Sequence, residues 1–172
     1  MAFFLPTVSV KSILDITPQL LHAMGVNTIL LDVDNTLAVH GAQEPFPGAV
    51  EWTKQMSQKG FRIIILSNNF EKRVAPFAQK FSLPFLSFSM KPFPMAYTRA
   101  MRKLGAGRKE TVAVGDQIFT DVIGANLSGV KSILLAPEDL EDTLSFRIRR
   151  ALEQPIRRRA ERIGRGSQYF KE

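Results

Sequence analysis

The residues best suited to chemistry are aspartates that directly follow short apolar runs. Asp32 and Asp34 stand two positions apart after one such run, and Asp116 and Asp121 follow another. Carboxylates held close together repel one another unless a cation lies between them. Several hard oxygen ligands are the kind of site that Mg²⁺ prefers. The four aspartates therefore predict a magnesium site.

Two further polar residues would complete a phosphoryl-transfer site. A phosphomonoester dianion repels a carboxylate nucleophile, so attack by Asp32 requires positive charge around the phosphoryl oxygens, which Mg²⁺ and Lys91 would supply. Ser67 can donate a hydrogen bond to the same oxygens. Asp34 can protonate the leaving alcohol and then deprotonate the hydrolytic water. Together they predict a phosphatase that forms a phosphorylated aspartate.

The elements that must position these residues alternate between strand and helix. Apolar runs rich in Ile, Leu and Val indicate buried strands at residues 28–33, 61–66, 84–88, 111–114 and 130–135. Helical spacing lies between them, at about residues 48–59, 71–81, 93–104 and 119–128. This alternation predicts an α/β, doubly wound fold with a mostly parallel sheet and helices on both faces. All the polar candidates then fall at the carboxyl ends of strands, where such sheets bind ligands.

Length and local signals predict one domain spanning residues 1–172. Thr17 and Pro18 have the pattern of an N-cap and first position for a short leading helix, at about residues 10–25. A basic helical tail is predicted over about residues 141–172, and Pro155 is expected to divide it into two helices.

The formal charge of +7 is concentrated in the tail. Residues 147–172 carry nine Lys and Arg against three Glu, so the rest of the chain is nearly neutral. The tail is a solvated charged face, a nucleic-acid contact or a helix lying on an anionic membrane. Of the two binding alternatives the membrane is favoured, because apolar residues at helical spacing oppose the arginines and aromatic residues for base stacking are largely missing. Removing the tail is predicted to spare the reacting groups.

Other features limit the class of protein. The chain has no cysteine, which excludes disulfides and thiolate metal sites. It also lacks the roughly 18 consecutive apolar residues of a spanning helix, and its first residues lack the pattern of a signal peptide. His22 and His40 lie outside every candidate motif and are predicted to be structural or exposed. We expect a cytoplasmic protein with at most a peripheral contact at a membrane.

Four segments, in order, resemble the motifs of the haloacid dehalogenase (HAD) superfamily. They are Asp-Val-Asp-Asn-Thr-Leu at residues 32–37, Leu-Ser-Asn at 66–68, Lys-Pro at 91–92 and Gly-Asp-Gln-Ile-Phe-Thr-Asp at 115–121. The first and last of these, with the chain length, resemble the YqeG-type, class IIIA phosphatases. Eukaryotic and plastid relatives in that group include phosphatidylglycerophosphate phosphatases.

The resemblance implies a HAD-like Rossmannoid fold with Asp32 as nucleophile and Asp34 as general acid and base. It implies Mg²⁺ bound by Asp32, the backbone carbonyl of Asp34 and Asp116, with Asp121 in support. It further implies that Ser67 and Lys91 bind the phosphoryl group, and Thr36 and Asn68 are predicted to bind it as well. The gaps between the motifs are too short for a folded cap domain. A capless, open site would suit a bulky substrate or one presented at a surface.

These features predict a phosphomonoester hydrolase acting on an anionic lipid head group, such as phosphatidylglycerophosphate. One alternative keeps the chemistry but acts on a soluble sugar phosphate, nucleotide or phosphoprotein. Another is an RNA-binding module that acts through the basic tail and retains only a vestigial site.

Overall fold

The computed structural model describes residues 2–137, 144–163 and 166–170. The six strands of this part form one sheet in which every neighbouring pair is parallel. They are β1 (Val8–Val10), β2 (Thr28–Leu31), β3 (Arg62–Leu66), β4 (Phe85–Leu86), β5 (Thr111–Gly115) and β6 (Lys131–Leu135). Their order across the sheet is β1-β6-β5-β2-β3-β4.

In this part of the chain, five α-helices lie between successive strands, and a sixth follows the last strand. They are α1 (Pro18–Ala23), α2 (Ala49–Gln58), α3 (Glu71–Phe81), α4 (Pro94–Leu104), α5 (Ile123–Leu127) and α6 (Leu144–Arg162). A π-helical segment, Ile118–Val122, leads directly into α5. The predicted α/β, doubly wound fold with helices on both faces of a parallel sheet is confirmed.

The central strands are buried on both faces. Leu31 and Val114 enter an apolar cluster with residues of α1, α2 and α3, whereas the adjacent Leu30 and Ala113 enter a second cluster with residues of α4 and α5. Successive strand residues point to opposite faces, so both faces need apolar side chains. This burial explains why the strands are continuous apolar runs in the sequence.

The order of the strands determines where a ligand can bind. From the central β2 the chain moves outward to β3 and β4, and it then returns to the other side of β2 as β5 and β6. The crevice at the carboxyl ends of β2 and β5 is thus the topological switch point, where open α/β sheets bind ligands.

The connections around this crevice are short. In the described part of the chain, residues 32–48 and 87–93 carry no folded cap domain, as predicted. No helix in that part combines the length and the apolar composition needed to cross a bilayer.

The N-terminal region differs from the prediction. Strand β1 was not predicted, because three residues are too few to show a periodicity, yet it pairs with β6. The α-helix of this region begins at Pro18, and the hydroxyl of Thr17 caps it by accepting from the N–H of Leu20 at 3.1 Å. A separate 3₁₀ turn, Ile13–Asp15, precedes it.

The prediction that Pro155 divides the tail is wrong, because α6 runs through this residue without a break. Pro155 cannot donate to the carbonyl of Ala151, but both residues lie on the exposed side of the helix, where water can satisfy that carbonyl. Buried Glu153 and Ala160 anchor the helix on either side of the proline. Residues 141–143, 164–165 and 171–172 of the predicted tail lie outside the described residues.

Candidate active site

The ends of β2 and β5 bring three of the predicted carboxylates together. One oxygen from each of Asp32, Asp116 and Asp121 lies within 4.8 Å of the others, and all three residues are buried. Asp32 follows β2, and its N–H donates to the carbonyl of Val114 in β5 at 2.9 Å. Neighbouring parallel strands therefore place carboxylates that are 84 and 89 positions apart in the chain at one point.

Lys91 lies between two of these carboxylates. Its Nζ atom is 2.6 Å from Oδ1 of Asp32 and 2.7 Å from Oδ1 of Asp121, and only 4% of its side chain is exposed. A buried ammonium group with two charge-assisted hydrogen bonds is held in one orientation. The structure thus joins the predicted nucleophile, the predicted phosphoryl-binding cation and Asp121.

Asn68 fixes the backbone of Lys91. Its Oδ1 accepts from the N–H of Lys91 at 2.7 Å and from the hydroxyl of Ser89 at 2.9 Å, and its Nδ2 donates to the carbonyl of Lys91 at 3.0 Å. The side-chain amide thereby pins the residue whose ammonium group enters the site. The direct phosphate contact predicted for Asn68 stays a prediction.

Asp121 depends on a close approach to the end of β5. A Cβ added at Gly115 would overlap the carboxylate of Asp121, so only glycine fits there. Oδ2 of Asp121 accepts from the N–H of Gln117 at 3.2 Å. The hydroxyl of Tyr97 donates to the carbonyl of Thr120 at 3.0 Å, which holds the π-helical segment from α4.

Asp34 is held by a different set of partners. Its Oδ1 accepts from Nη2 of Arg73 at 2.7 Å and from the N–H of Gly41 at 3.1 Å, and its Oδ2 accepts from Nδ2 of Asn69 at 2.6 Å. Nδ1 of His40 lies 3.5 Å from the same Oδ1, so this histidine, predicted to be structural or exposed, borders the candidate acid. The Asp34 carboxylate is thus turned towards α3, apart from the three clustered carboxylates.

Ser67 and Thr36, the other two predicted phosphoryl-binding residues, are both buried. Oγ of Ser67 accepts from the N–H of Asn69 at 3.2 Å, which leaves its hydroxyl hydrogen for a ligand. Oγ1 of Thr36 is buried without a hydrogen-bond partner in the described part of the chain. Their contact with phosphate stays a prediction.

Burial makes the carboxylates difficult to ionise. It raises the pKa of Asp32 and of Asp121, and the Lys91 ammonium opposes both rises. Burial raises the pKa of Asp116 to about 6, although the Arg150 guanidinium lowers it. Burial also lowers the pKa of Lys91, but the carboxylates of Asp121 and Asp32 outweigh that effect and raise it overall. Such a cluster is stabilised by added positive charge.

The donor set fits Mg²⁺. The three clustered carboxylates are hard oxygen ligands, and Oδ1 of Asp116 is buried with no hydrogen-bond partner among the described residues. A buried acceptor without a donor is costly, and a cation would satisfy it. The carboxylate of Asp34 is occupied elsewhere, so its backbone carbonyl is the group left for the role that the resemblance implies.

Helix α6 also enters the site, contrary to the prediction that removing the tail would spare the reacting groups. Arg150 donates to the carboxylate of Asp116, and Arg157 donates to its backbone carbonyl. Ile148 and Leu152, in contrast, are more than half exposed. The charged side of this part of the helix therefore faces inward. An acid at position 153, three and four residues from the two arginines, was the sequence signal for this contact.

Large apolar side chains are exposed around the same edge of the sheet. We call this set the apolar rim; it comprises Phe70, Phe88, Met90, Phe93 and Met95, each between 45% and 72% exposed. The rings of Phe70 and Phe88 stack with their centroids 5.6 Å apart. Both phenylalanines lie beside the residues that hold Asp34, because the N–H of Phe88 donates to the carbonyl of Asn69. The rim thus lies at the carboxyl edge of the sheet, next to residues that hold Asp34.

The sequence matches known phosphatases. The sequence model of the haloacid dehalogenase-like hydrolases matches residues 17–129. The chain is 37% identical over 154 residues to the probable phosphatase YqeG of Bacillus subtilis, an alignment that covers 90% of each protein. It is 31% identical over 116 residues to the phosphoserine phosphatase of Thermus thermophilus, covering 60% of this chain and 47% of that protein.

Solved structures share the fold. A 4-nitrophenylphosphatase from Thermotoga maritima superposes with a TM-score of 0.57 at 13% identity, covering 71% of this chain and 92% of that chain. An uncharacterized protein from Listeria monocytogenes superposes with a TM-score of 0.55 at 21% identity, covering 69% of this chain and 84% of that chain. At these identities the likeness concerns the fold alone.

Proposed function

The chain belongs to the haloacid dehalogenase-like hydrolases and is a phosphatase, and we propose that it hydrolyses phosphomonoesters with Mg²⁺ through a phosphorylated Asp32. The observation that carries this proposal is the bridge made by Lys91 between Asp32 and Asp121 inside a buried carboxylate cluster. Burying a lysine between two aspartates costs desolvation energy, and it places a fixed positive charge beside Asp32, where attack on a phosphate dianion requires one.

In the first step, an oxygen of Asp32 attacks phosphorus, and the bond between phosphorus and the ester oxygen breaks. Lys91 neutralises charge on the phosphoryl oxygens, and the Ser67 hydroxyl donates to one of them. Asp34 gives its proton to the leaving alkoxide. To do so, its carboxyl group must exchange one contact with Arg73 or Asn69 for the leaving oxygen.

In the second step, water attacks the phosphoaspartate and Asp34 accepts the proton of that water. The acyl phosphate bond breaks, which regenerates the carboxylate of Asp32 and releases inorganic phosphate. Lys91 stays beside Asp32 in both steps because Asn68 pins its backbone. Bound at Asp32, Asp116 and the carbonyl of Asp34, with Asp121 in support, Mg²⁺ would supply further positive charge for the phosphoryl oxygens.

The proposed substrate is an anionic lipid with a phosphomonoester head group, such as phosphatidylglycerophosphate. Two observations support it: the site has no cap in the described part of the chain, and the apolar rim is exposed at the same edge of the sheet. Peripheral binding to an anionic membrane, through exposed α6 residues such as Arg158 and Arg162, belongs to the same proposal. A soluble phosphomonoester is the alternative substrate.

Two measurements test this proposal. A phosphate-release screen with Mg²⁺ over lipid, sugar and nucleotide monoesters should give its highest kcat/KM on a lipid. Acid-quenched protein from a reaction with radiolabelled substrate should carry label that hydroxylamine removes, as expected of an acyl phosphate. Turnover with no labelled protein under single-turnover conditions would refute the covalent route, and a preference for a soluble ester would replace only the substrate.

A further inference from the structure

Helix α6 presents a charged face to the loop that carries Asp116 and Asp121. Arg150, Glu153 and Arg157 are spaced by three and four residues, so they lie on one side of the helix. Glu153 is fully buried, which is rare for a glutamate unless its charge is paired. We call these three residues the α6 brace.

Glu153 is the centre of the brace. Its Oε1 accepts from the N–H of Ile118 at 2.8 Å and from the N–H of Phe119 at 3.4 Å. Its Oε2 lies 3.2 Å from Nη1 of Arg150 and 3.4 Å from Nη2 of Arg157. One carboxylate thus binds the backbone between Asp116 and Asp121 and orients both arginines.

The arginines in turn hold Asp116. Arg150 donates to its carboxylate oxygen Oδ2 and, at 3.0 Å, to its backbone carbonyl. Arg157 donates to the same carbonyl. Of the polar oxygens of Asp116, only Oδ1 is then left without a hydrogen-bond partner in the described part of the chain.

The two arginines do not give this part of the site a net positive charge that would repel a cation. The two guanidinium groups and the carboxylates of Glu153 and Asp116 sum to zero formal charge. Moreover, a buried network of ion pairs contributes little net stability, because the cost of removing the charges from water offsets their attraction. What such a network does provide is one fixed geometry for the groups it binds.

We propose that Arg150, Glu153 and Arg157 are positioning residues that hold the loop 116–121 and orient Asp116, so that its Oδ1 is available to the catalytic cation. The inference rests on the proposed function, because that function supplies the cation. It makes the C-terminal helix part of the active site.

The test that separates orientation from charge is Arg150→Lys. Lysine keeps the positive charge but cannot bond Oδ2 and the carbonyl as a planar fork does. Mg²⁺ binding is measured by calorimetry on full-length protein without substrate, beside Arg147→Lys, which alters an exposed arginine of the same helix. Loss of a residue that orients a metal ligand typically weakens affinity by about 10-fold to 100-fold. We expect that loss for Arg150→Lys and none for Arg147→Lys.

Glu153→Gln removes the centre of the brace, and the exposed Glu161→Gln is its control. We expect weaker Mg²⁺ binding for Glu153→Gln, and kcat of both brace variants should recover towards wild type at high Mg²⁺. The double variant should lose less than the two single losses combined, because both changes loosen the same loop. Should a brace variant not fold by circular dichroism, Arg157→Lys is measured in its place.

The outcomes separate the two proposals. If wild type binds Mg²⁺ and the brace variants that fold bind it equally well, the positioning role is refuted and the proposed function stands. A lower melting temperature with unchanged Mg²⁺ affinity would likewise show that the brace stabilises the fold but does not position Asp116 for the cation. If wild type binds no Mg²⁺, both the metal-dependent mechanism and this inference fall.

Discussion

The carboxyl edge of the sheet contains two regions of opposite character. At its centre, Asp32, Lys91, Asp116 and Asp121 are buried and joined by short ionic contacts. At its border, the apolar rim is exposed, and its only stacked pair is that of Phe70 and Phe88 among the residues described. The centre is preorganised by contacts within the chain, whereas the apolar surface of the rim is exposed. This difference predicts that changes at the centre abolish chemistry, while changes at the rim alter which substrate is preferred.

Asp32→Asn should produce the largest effect, because it removes the nucleophilic charge with almost no change in shape. Phosphate release should fall on the order of 10⁴-fold or more, as for nucleophile removal in other covalent hydrolases. The fold should persist, since burial already disfavours the charged form of Asp32. A phosphate-release assay and circular dichroism measure the two properties, with the exposed Glu51→Gln as control. Near-normal turnover by Asp32→Asn would show that Asp32 is not the nucleophile.

Removing the metal should have the next largest effect, and its effect on stability should depend on pH. Between the ordinary pKa of 3.8 and the raised pKa of about 6, folded Asp116 retains a proton that the unfolded chain has lost. The free energy of unfolding of the metal-free protein should therefore fall as pH rises through this interval. The full destabilisation should be present above it. Because protons compete with Mg²⁺ for the same carboxylate, Mg²⁺ should raise the melting temperature more at pH 8 than at pH 5.

Chelation with EDTA should abolish activity, and added Mg²⁺ should restore it. Zn²⁺ should restore it poorly, since the site offers only hard oxygens. An equal Mg²⁺-induced shift of the melting temperature at both pH values would show that protonation of Asp116 does not compete with Mg²⁺. Full activity after exhaustive chelation would show that the reaction does not need a metal.

Gly115→Ala should cause a smaller loss at the centre. The added Cβ would collide with the carboxylate of Asp121, and overpacking of this kind costs typically about 1–3 kcal/mol of stability. We expect kcat to fall about 10-fold to 100-fold, by analogy with the loss of a residue that orients a metal ligand. Gly107→Ala is the matched control, because its Cβ would meet only ordinary contacts. Unchanged kinetics for Gly115→Ala would show that the position of Asp121 does not matter.

The two regions also differ in how far the sequence predicted them. The clustering at the centre was predictable because parallel strands bring their carboxyl ends together, so Asp32, Lys91 and Asp116 were expected to lie close together from their places after apolar runs. The partners of Asp34 were not predictable, because Arg73 reaches it from a neighbouring helix with no motif to mark it. The contact of α6 was missed because hydrophobic periodicity identifies apolar faces, and here a charged face is buried.

Changes at the rim should affect substrate preference more than chemistry. Phe70→Ala with Phe93→Ala removes two exposed rings, so stability should change by no more than about 0.5 kcal/mol for each. We expect KM for a phosphomonoester with long acyl chains to rise about 10-fold to 100-fold, since fully burying one such side chain contributes roughly 1.5–3 kcal/mol. KM for 4-nitrophenyl phosphate should stay within about twofold, and Leu127→Ala, exposed at the end of α5, is the control. An equal rise of KM for both substrates would show that the rim does not determine substrate preference.

The smallest effect should come from the outward side of α6. Arg158 and Arg162 are exposed, and changing both to Glu leaves the α6 brace intact. Arg157 is excluded from this variant because it donates to the backbone carbonyl of Asp116. Each basic residue near an anionic surface contributes on the order of 1 kcal/mol. Activity on lipid in anionic vesicles should therefore fall about 10-fold at low salt, and the difference should shrink at high salt as the charges are screened. Activity on a soluble ester should not change. Equal rates of variant and wild type on vesicles at low salt would mean that these arginines form a solvated face, and that a lipid substrate, if used, is reached through the rim alone.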